Sequence, residues 1–259
     1  MKAESLHDLP LHFQNIFKEI GTAAEKCLDE AAKFGQVLIV TNSDDGWVKF
    51  SAERFVPNLL PCLDRCRIIS ARTRYERFYP NQPLCWKAAA FAHEVNMIYE
   101  ASESNKENHD ASNETSSMVS SDVSFEEEGI ENVEMIQKRH NITKSNGKAW
   151  REVISFGDSG EERTAVKIVA QQLEATPKSV MFITAPTPAQ IIGQLAMLTS
   201  QMEFLCTHNR ALDLEISPSQ AQRVADELLH FDKTSAVHTY NRFGDLHTDN
   251  HIIQAHRRF

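Results

Sequence analysis

The 259 residues are 41% hydrophobic and 24% charged, enough for one sizeable α/β domain, or one domain with an insert, and too few for two full domains. A formal net charge of -9 excludes a general basic footprint for nucleic acid. No apolar run approaches the ~18 residues needed to cross a bilayer and the first residues hold no signal-peptide core, so a soluble cytoplasmic protein with no membrane partner is predicted.

The five cysteines (Cys27, Cys62, Cys66, Cys85 and Cys206) are odd in number and sit within apolar patterns. They read as reduced core thiols. Cys62 and Cys66 have half of a zinc-site spacing, but no second pair accompanies them.

In chain order, Phe13, Ile16, Phe17, Ile20, Ala24, Cys27, Leu28 and Ala31 recur at helical spacing. Gly35 stands where a left-handed cap belongs. Residues 36–40 then read as a fully buried strand, with Thr41, Asn42 and Ser43 at its carboxyl end. A threonine hydroxyl there can bond a phosphate oxygen together with the N–H groups of the turn, or it can simply cap the turn.

A helix is predicted from Ala52 to Leu63, interrupted by Pro57 and Pro61, and a short strand over Arg67–Ser70. The arginine-rich turn that follows places Arg72 either as an anion clamp or as an ion-pair anchor for Glu76. Trp86-Lys87 opens another amphipathic helix carrying Phe91, Val95, Ile98 and Tyr99. A lysine in the first turn opposes the helix dipole, which suits a lysine held to meet an anion as well as one that is merely solvated.

From about residue 101 to 147 serine, asparagine and glutamate take over, and such a segment cannot bury enough apolar surface to offset its ordering entropy. It reads as a disordered insertion, with a short helix near residues 131–139. Asn113 and Asn141 match glycosylation acceptors but have no secretory context. The chain therefore divides into residues 1–100 and 148–206, two parts of one α/β domain, the insertion at 101–147, and a C-terminal helix with a polar tail at 207–259. His247 and His251 fall in that tail without an acid-bearing motif.

The most informative stretch is Val153-Ile154-Ser155-Phe156-Gly157-Asp158-Ser159-Gly160-Glu161-Glu162-Arg163. An apolar strand ends in glycine and aspartate, and a helix with Ala165, Val166, Val169 and Leu173 begins at once. Asp158 at the strand end and Glu162 one turn into the helix are hard oxygen donors suited to Mg2+. The plainer reading makes Asp158 the helix N-cap. A strand over residues 179–184 and a helix with Ile191, Leu195, Leu198, Met202 and Leu205 complete an alternating order that predicts a parallel sheet with helices on both faces.

At these residues the sequence resembles the haloacid dehalogenase-like (HAD) phosphohydrolase superfamily, over roughly residues 11–205. Val37 to Asn42 looks like motif II, an apolar strand ending in Thr or Ser. Lys87 matches the motif III lysine, and Phe156-Gly157-Asp158 with Glu162 matches the acidic motif IV. The resemblance implies a Rossmann-like three-layer fold, Mg2+ on Asp158 and Glu162, and Thr41 and Lys87 on a phosphoryl group. Asn42, Ser43, Arg72 and Ser159 would assist in binding a small phosphorylated molecule or phosphoprotein.

Motif I is missing. In that superfamily an apolar strand ending in Asp-x-Asp-x-Thr precedes motif II and supplies the nucleophile and the general acid/base; here only Asp8 and Asp29 come before Thr41, and neither follows an apolar strand. That strand would also lie at the centre of the sheet, between the strands at residues 37–40 and 153–156. The expectation is an incomplete version of a longer phosphatase-like protein, or a fold whose strands close up without chemistry. The alternatives are a non-catalytic anion-binding or regulatory module, and an interaction protein acting through the acidic insertion.

Overall fold

The computed structural model describes residues 4–110, 151–234 and 253–255. After a 3-10 turn at Leu6–Asp8, α1 (Leu11–Ala32) buries Cys27, with Ala31 and Phe34 packed nearby. Lys33, in right-handed conformation, follows α1, and Gly35 has no positive φ, so the predicted glycine cap does not form. β1 (Leu38–Thr41) comes next, and Gly46, at φ 79°, precedes α2 (Trp47–Phe55). The single helix predicted over residues 52–63 is three pieces: the end of α2, a 3-10 turn at Pro57–Leu59, and α3 (Leu60–Arg65). Each proline sits in a first turn, where its missing N–H costs nothing.

β2 (Arg67–Ser70) pairs in parallel with β1, Leu38 opposite Arg67 and Thr41 opposite Ser70. The arginine-rich turn is a short helix, α4 (Ala71–Tyr75), capped by the Ser70 hydroxyl, which accepts from Thr73 N at 3.0 Å. α5 (Pro83–Asp110) runs ten residues further than the predicted onset of the insertion at residue 101. The helix predicted near residues 131–139, the acceptor sites Asn113 and Asn141, and the pair His247 and His251 lie outside the described residues.

The second half holds β3 (Glu152–Gly157), α6 (Gly160–Gln172), β4 (Thr176–Met181), α7 (Pro188–Thr207), β5 (Leu212–Ile216), α8 (Pro218–Thr234) and β6 (Ile253–Ala255). The chain is thus α/β. β3, β4 and β5 are parallel neighbours, and β6 lies antiparallel on β5. β4 begins three residues earlier than predicted, with Pro177 inside it. The proline is tolerated because β5 first pairs at Lys178, so β4 has only one neighbour at residue 177. α8 is the helix predicted within residues 207–259, while β5 and β6 are strands where the sequence reading had none.

β1–β2 and β3–β4–β5–β6 are separate sheets, and β1 is not hydrogen-bonded to β3. The strands have not closed up into one. Helices nevertheless tie the two halves together. α1 packs on α7, and Cys27 joins Val180, Met197, Leu198, Met202, Leu205 and Leu214 in one core. α5 packs on α6, while its Trp86 and Ala90 form a second core with Ile69 and Ala71, against which Leu38 and Val40 lie. α5 also runs antiparallel to β3. Its Lys87 meets Glu162 beyond the strand's carboxyl end, and its Tyr99 hydroxyl donates to Glu152 O at the amino end, at 3.2 Å. Burial pushes that phenol up to about 12.

Buried charges in the described residues are paired, as desolvation demands. The Glu94 carboxylate, 1% exposed, lies between Arg67 at 2.7 Å and Arg74 at 2.8 Å. Lys178, fully buried in β4, donates to Glu152 at 2.9 Å and to Leu205 O at 2.8 Å. On β5, Asp213 accepts from Arg163 and from Lys167, the latter at 2.8 Å, and Arg163 also reaches Glu215. Burial works to raise the Asp213 carboxyl, but these donors prevail and hold it below its ordinary 3.8.

A depressed carboxyl pKa contributes stability that is complete above the ordinary value and is lost as pH falls through the folded one. The stability gap between the wild type and Asp213→Asn is therefore expected to be constant from neutral pH to about 5 and to close below about 4. Urea melts across pH 7 to 2 would read this, and a gap that persists in strong acid would contradict it.

Candidate functional site

The carboxyl ends of β1 and β3, with the first turns of α5 and α6, bring most of the predicted residues together. α6 starts where Ser159, extended at φ -118°, acts as N-cap. The plainer alternative, with Asp158 as the cap, is therefore not the one formed. Glu162, at the third position of the helix, folds back so that its Oε2 accepts from Ser159 N at 3.0 Å and from the Ser159 hydroxyl. A carboxylate in the first turn suits both the free N–H groups and the helix dipole.

Gly157 makes this possible. A Cβ there would stand 2.8 Å from the Glu162 side chain.

The other oxygen of Glu162 forms an ion pair with the Lys87 ammonium. Both residues are buried, Lys87 to 7% and Glu162 to 9% exposure, so Lys87 is not the solvated surface lysine of the plainer reading. Burial lowers the Lys87 pKa, opposed by the nearby charges of Glu161 and Asp158. Asp158 itself is exposed, and its carbonyl accepts from the Thr184 hydroxyl at 3.3 Å.

On the β1 side, Thr41 Oγ1 accepts from Ser43 N at 3.0 Å, the turn-capping alternative raised by the sequence. Ser43 O accepts from the Ser70 hydroxyl at 2.7 Å, which fastens the turn to β2. Asn42 reaches across to the second half, its Nδ2 donating to Glu161 Oε2 at 3.3 Å, while its Oδ1 is buried with no partner. Arg72 stays apart from this group: Nε donates to Glu76 at 3.0 Å, Nη1 lies 3.8 Å from Asp44, and the guanidinium is 6.0 Å from the Trp86 ring. Its ion-pair role is the one formed.

A cavity of about 230 Å3 borders Thr41, Asp44, Asp45, Lys49 and Ser70. Asn42, Lys87, Asp158 and Glu162 do not line it. Of the residues at the two strand ends, Thr41 alone borders this cavity, and the charged cluster around Lys87 lies outside it.

Among the described residues no group of three or more His, Cys, Asp or Glu side chains is placed to hold a metal ion. Both Glu162 oxygens are engaged, so the residue does not fit as a ligand while Lys87 is paired with it. Asp158 and Glu161 are the two carboxylates flanking Lys87, and Mg2+ takes one or two such groups and keeps its waters. Glu161 was missed in the sequence, although the Glu161-Glu162 doublet in a first helical turn was the available signal.

The aspartates that precede Thr41 have other tasks. Asp8 accepts from Glu4 N at 2.9 Å and Ser5 N at 2.8 Å, and Asp29 pairs with Arg65 at 2.8 Å. Comparison with family models, with curated proteins and with solved structures returned no match in any of the three. Among the described residues no helix is long and apolar enough to cross a membrane.

Proposed function

We propose that the chain is a HAD-like module related to Mg2+-dependent phosphohydrolases, with a Rossmann-like three-layer core, which as written lacks the nucleophile and does not turn over phosphomonoesters. One observation carries this reading: three stretches far apart in sequence, Thr41-Asn42, Lys87 and Asp158 to Glu162, converge at the carboxyl ends of two parallel-sheet strands. Ligands of open α/β sheets sit at such ends. The separation of β1 from β3 is what the loss of a central strand between them would leave.

The roles proposed for these residues are as follows. Asp158, with Glu161 beside it, would hold Mg2+, which supplies charge neutralisation to a phosphoryl group. Thr41 and the N–H groups of its turn would face the phosphate oxygens. Lys87 reaches an anion only by leaving Glu162, so ligand binding and release of that ion pair are one event. The purely anion-binding alternative has less support, because Lys87 and Arg72 are both already matched by carboxylates.

The covalent aspartyl-phosphate route of that superfamily runs through the motif I aspartate, which this sequence lacks. The full chain assayed on p-nitrophenyl phosphate and a panel of sugar phosphates with Mg2+ is expected to show no turnover above background. Mg2+-dependent hydrolysis that disappears in Asp158→Ala would overturn the proposal of an inactive module.

A further inference from the structure

We infer that Cys62 and Cys66 form a two-thiolate site for copper(I), reached from the cavity that borders Thr41 and Lys49. Cys62 lies on α3 and is 2% exposed, while Cys66 ends that helix and leads into β2. Cys66 N donates to Leu63 O at 3.2 Å, so the last turn stays wound up to that residue and the two side chains are neighbours one turn apart. Their sulfurs are in contact. The Cys66 S–H donates to Cys62, and the Arg65 guanidinium donates to Cys62 as well.

The separation decides what such a pair can hold. Side chains one helical turn apart have their Cβ atoms roughly 5–6 Å from each other, whereas a disulfide brings them to roughly 3.5–4.5 Å. Closing that difference would drag on the start of β2, which is fixed by the pairing of Arg67 with Leu38 and by the ion pair of Arg67 with Glu94 at 2.7 Å. An ion held between the sulfurs puts two metal–sulfur bonds where a disulfide has one sulfur–sulfur bond, and so spans the wider gap with the backbone in place.

The donor set selects the ion. Among the described residues no third His, Cys, Asp or Glu side chain joins the two thiols in a metal-holding group. Zinc closes its structural sites with four ligands, and hard cations take oxygen, so neither is served by two sulfurs alone. Copper(I) is soft, prefers thiolate, and is satisfied by two donors in line.

A path to the pair exists. Cys66 borders the cavity of about 230 Å3 together with Asp44, Asp45 and Lys49. Lys49 is matched by Asp64 at 2.6 Å, and Arg72 stands 3.8 Å from Asp44, which leaves Asp45 to make the mouth negative and favourable to a cation.

Burial raises the Cys66 pKa above its ordinary 9.0, so this thiol stays protonated at neutral pH and is a slow attacker of oxidants. Metal binding removes that proton. Two Cu–S bonds form, two S–H bonds break, two protons leave to solvent, and no electron is transferred. The resulting singly negative complex lies beside Arg65, whose other contact is Asp29 at 2.8 Å. The site belongs to the junction of α3 and β2 and does not rest on the phosphohydrolase reading.

Titration of the fully reduced full chain with copper(I) in the absence of oxygen, against ferrozine as a competing chelator of moderate strength, tests the inference. The chain is expected to withdraw one copper(I) from the chelator, and native mass spectrometry to show one copper gained for two protons lost. Cys66→Ser, at a half-buried position, should weaken binding by at least about a hundredfold, the upper end of the loss when even a supporting partner of a metal ligand is removed. Cys85→Ser, whose thiol donates to Gln82, should bind as the wild type does. A wild-type chain that leaves the copper with ferrozine would overturn the inference. Equal competition by the wild type and Cys66→Ser would do the same, because the ion would then sit on other thiols.

Discussion

Gly193→Val is expected to destabilise the fold by about 3 kcal/mol or more, the upper part of the range for overpacking. Gly193 lies on α7 where α8 crosses it, and a Cβ built there would stand 1.9 Å from Ala221 O and 2.7 Å from the carbonyl carbon. The obstacle is backbone rather than a flexible side chain tip. α8 would have to move away from α7, and Ala221, fully buried in the main core beside Leu198 and Met202, would move with it. Urea denaturation measures the loss, and Gly193→Ala provides the graded control, since even its single methyl occupies the forbidden position. An unchanged midpoint in Gly193→Ala would show that the two helices do not approach as closely as described. Gly35→Ala, where a Cβ meets nothing within 4 Å, should by contrast be close to neutral.

Periodicity made most of the helices and the first four strands legible in the sequence, because one-sided burial of a helix and two-sided burial of a parallel strand both leave plain patterns. Phe13 to Ala31 and Ile191 to Leu205 are examples of the first, and Leu38-Ile39-Val40 of the second. β5 was missed for a reason that is itself physical. Leu212-Asp213-Leu214-Glu215-Ile216 alternates, but its acids sit opposite Arg163 and Lys167 rather than in open solvent, and a short alternating run beside a helical segment reads as loop until its partners are known. The long continuation of α5 to Asp110 was hidden because serine, asparagine and aspartate hold half of residues 101–110, and these residues favour helix caps and turns over helix interiors.

The site was legible residue by residue and not as an arrangement. Lys87 was singled out by its conflict with the helix dipole, and Glu162 by its position one turn beyond Asp158, yet nothing in either pattern shows that they neutralise one another. An ion pair between residues 75 positions apart is a property of the packing of α5 on α6. The same holds for Asn42, which sequence spacing placed in a phosphate-binding turn and which the fold turns toward Glu161. Glu94 drew no attention at all, since a lone glutamate in an amphipathic helix reads as solvated; its burial between Arg67 and Arg74 requires β2 and α4 to lie on the same side of α5.

Lys87→Met is expected to cost about 3 kcal/mol, the lower end of the penalty for removing one partner of a buried pair, because the Glu162 charge would remain without its cation. That corresponds to a fall in Tm of roughly 10 °C for an ordered core of this size. The double variant Lys87→Met/Glu162→Gln is expected to regain most of the loss. Glutamine keeps an oxygen to accept from Ser159 N, so the start of α6 stays capped while the buried charge is gone. The coupling from the double-mutant cycle then isolates the ion pair from the cap. A double variant no more stable than Lys87→Met would place the energy in packing of the lysine stem instead. The result also bears on the proposed function: an anion that recruits Lys87 has to offset the cost of leaving the buried Glu162 carboxylate without its cation.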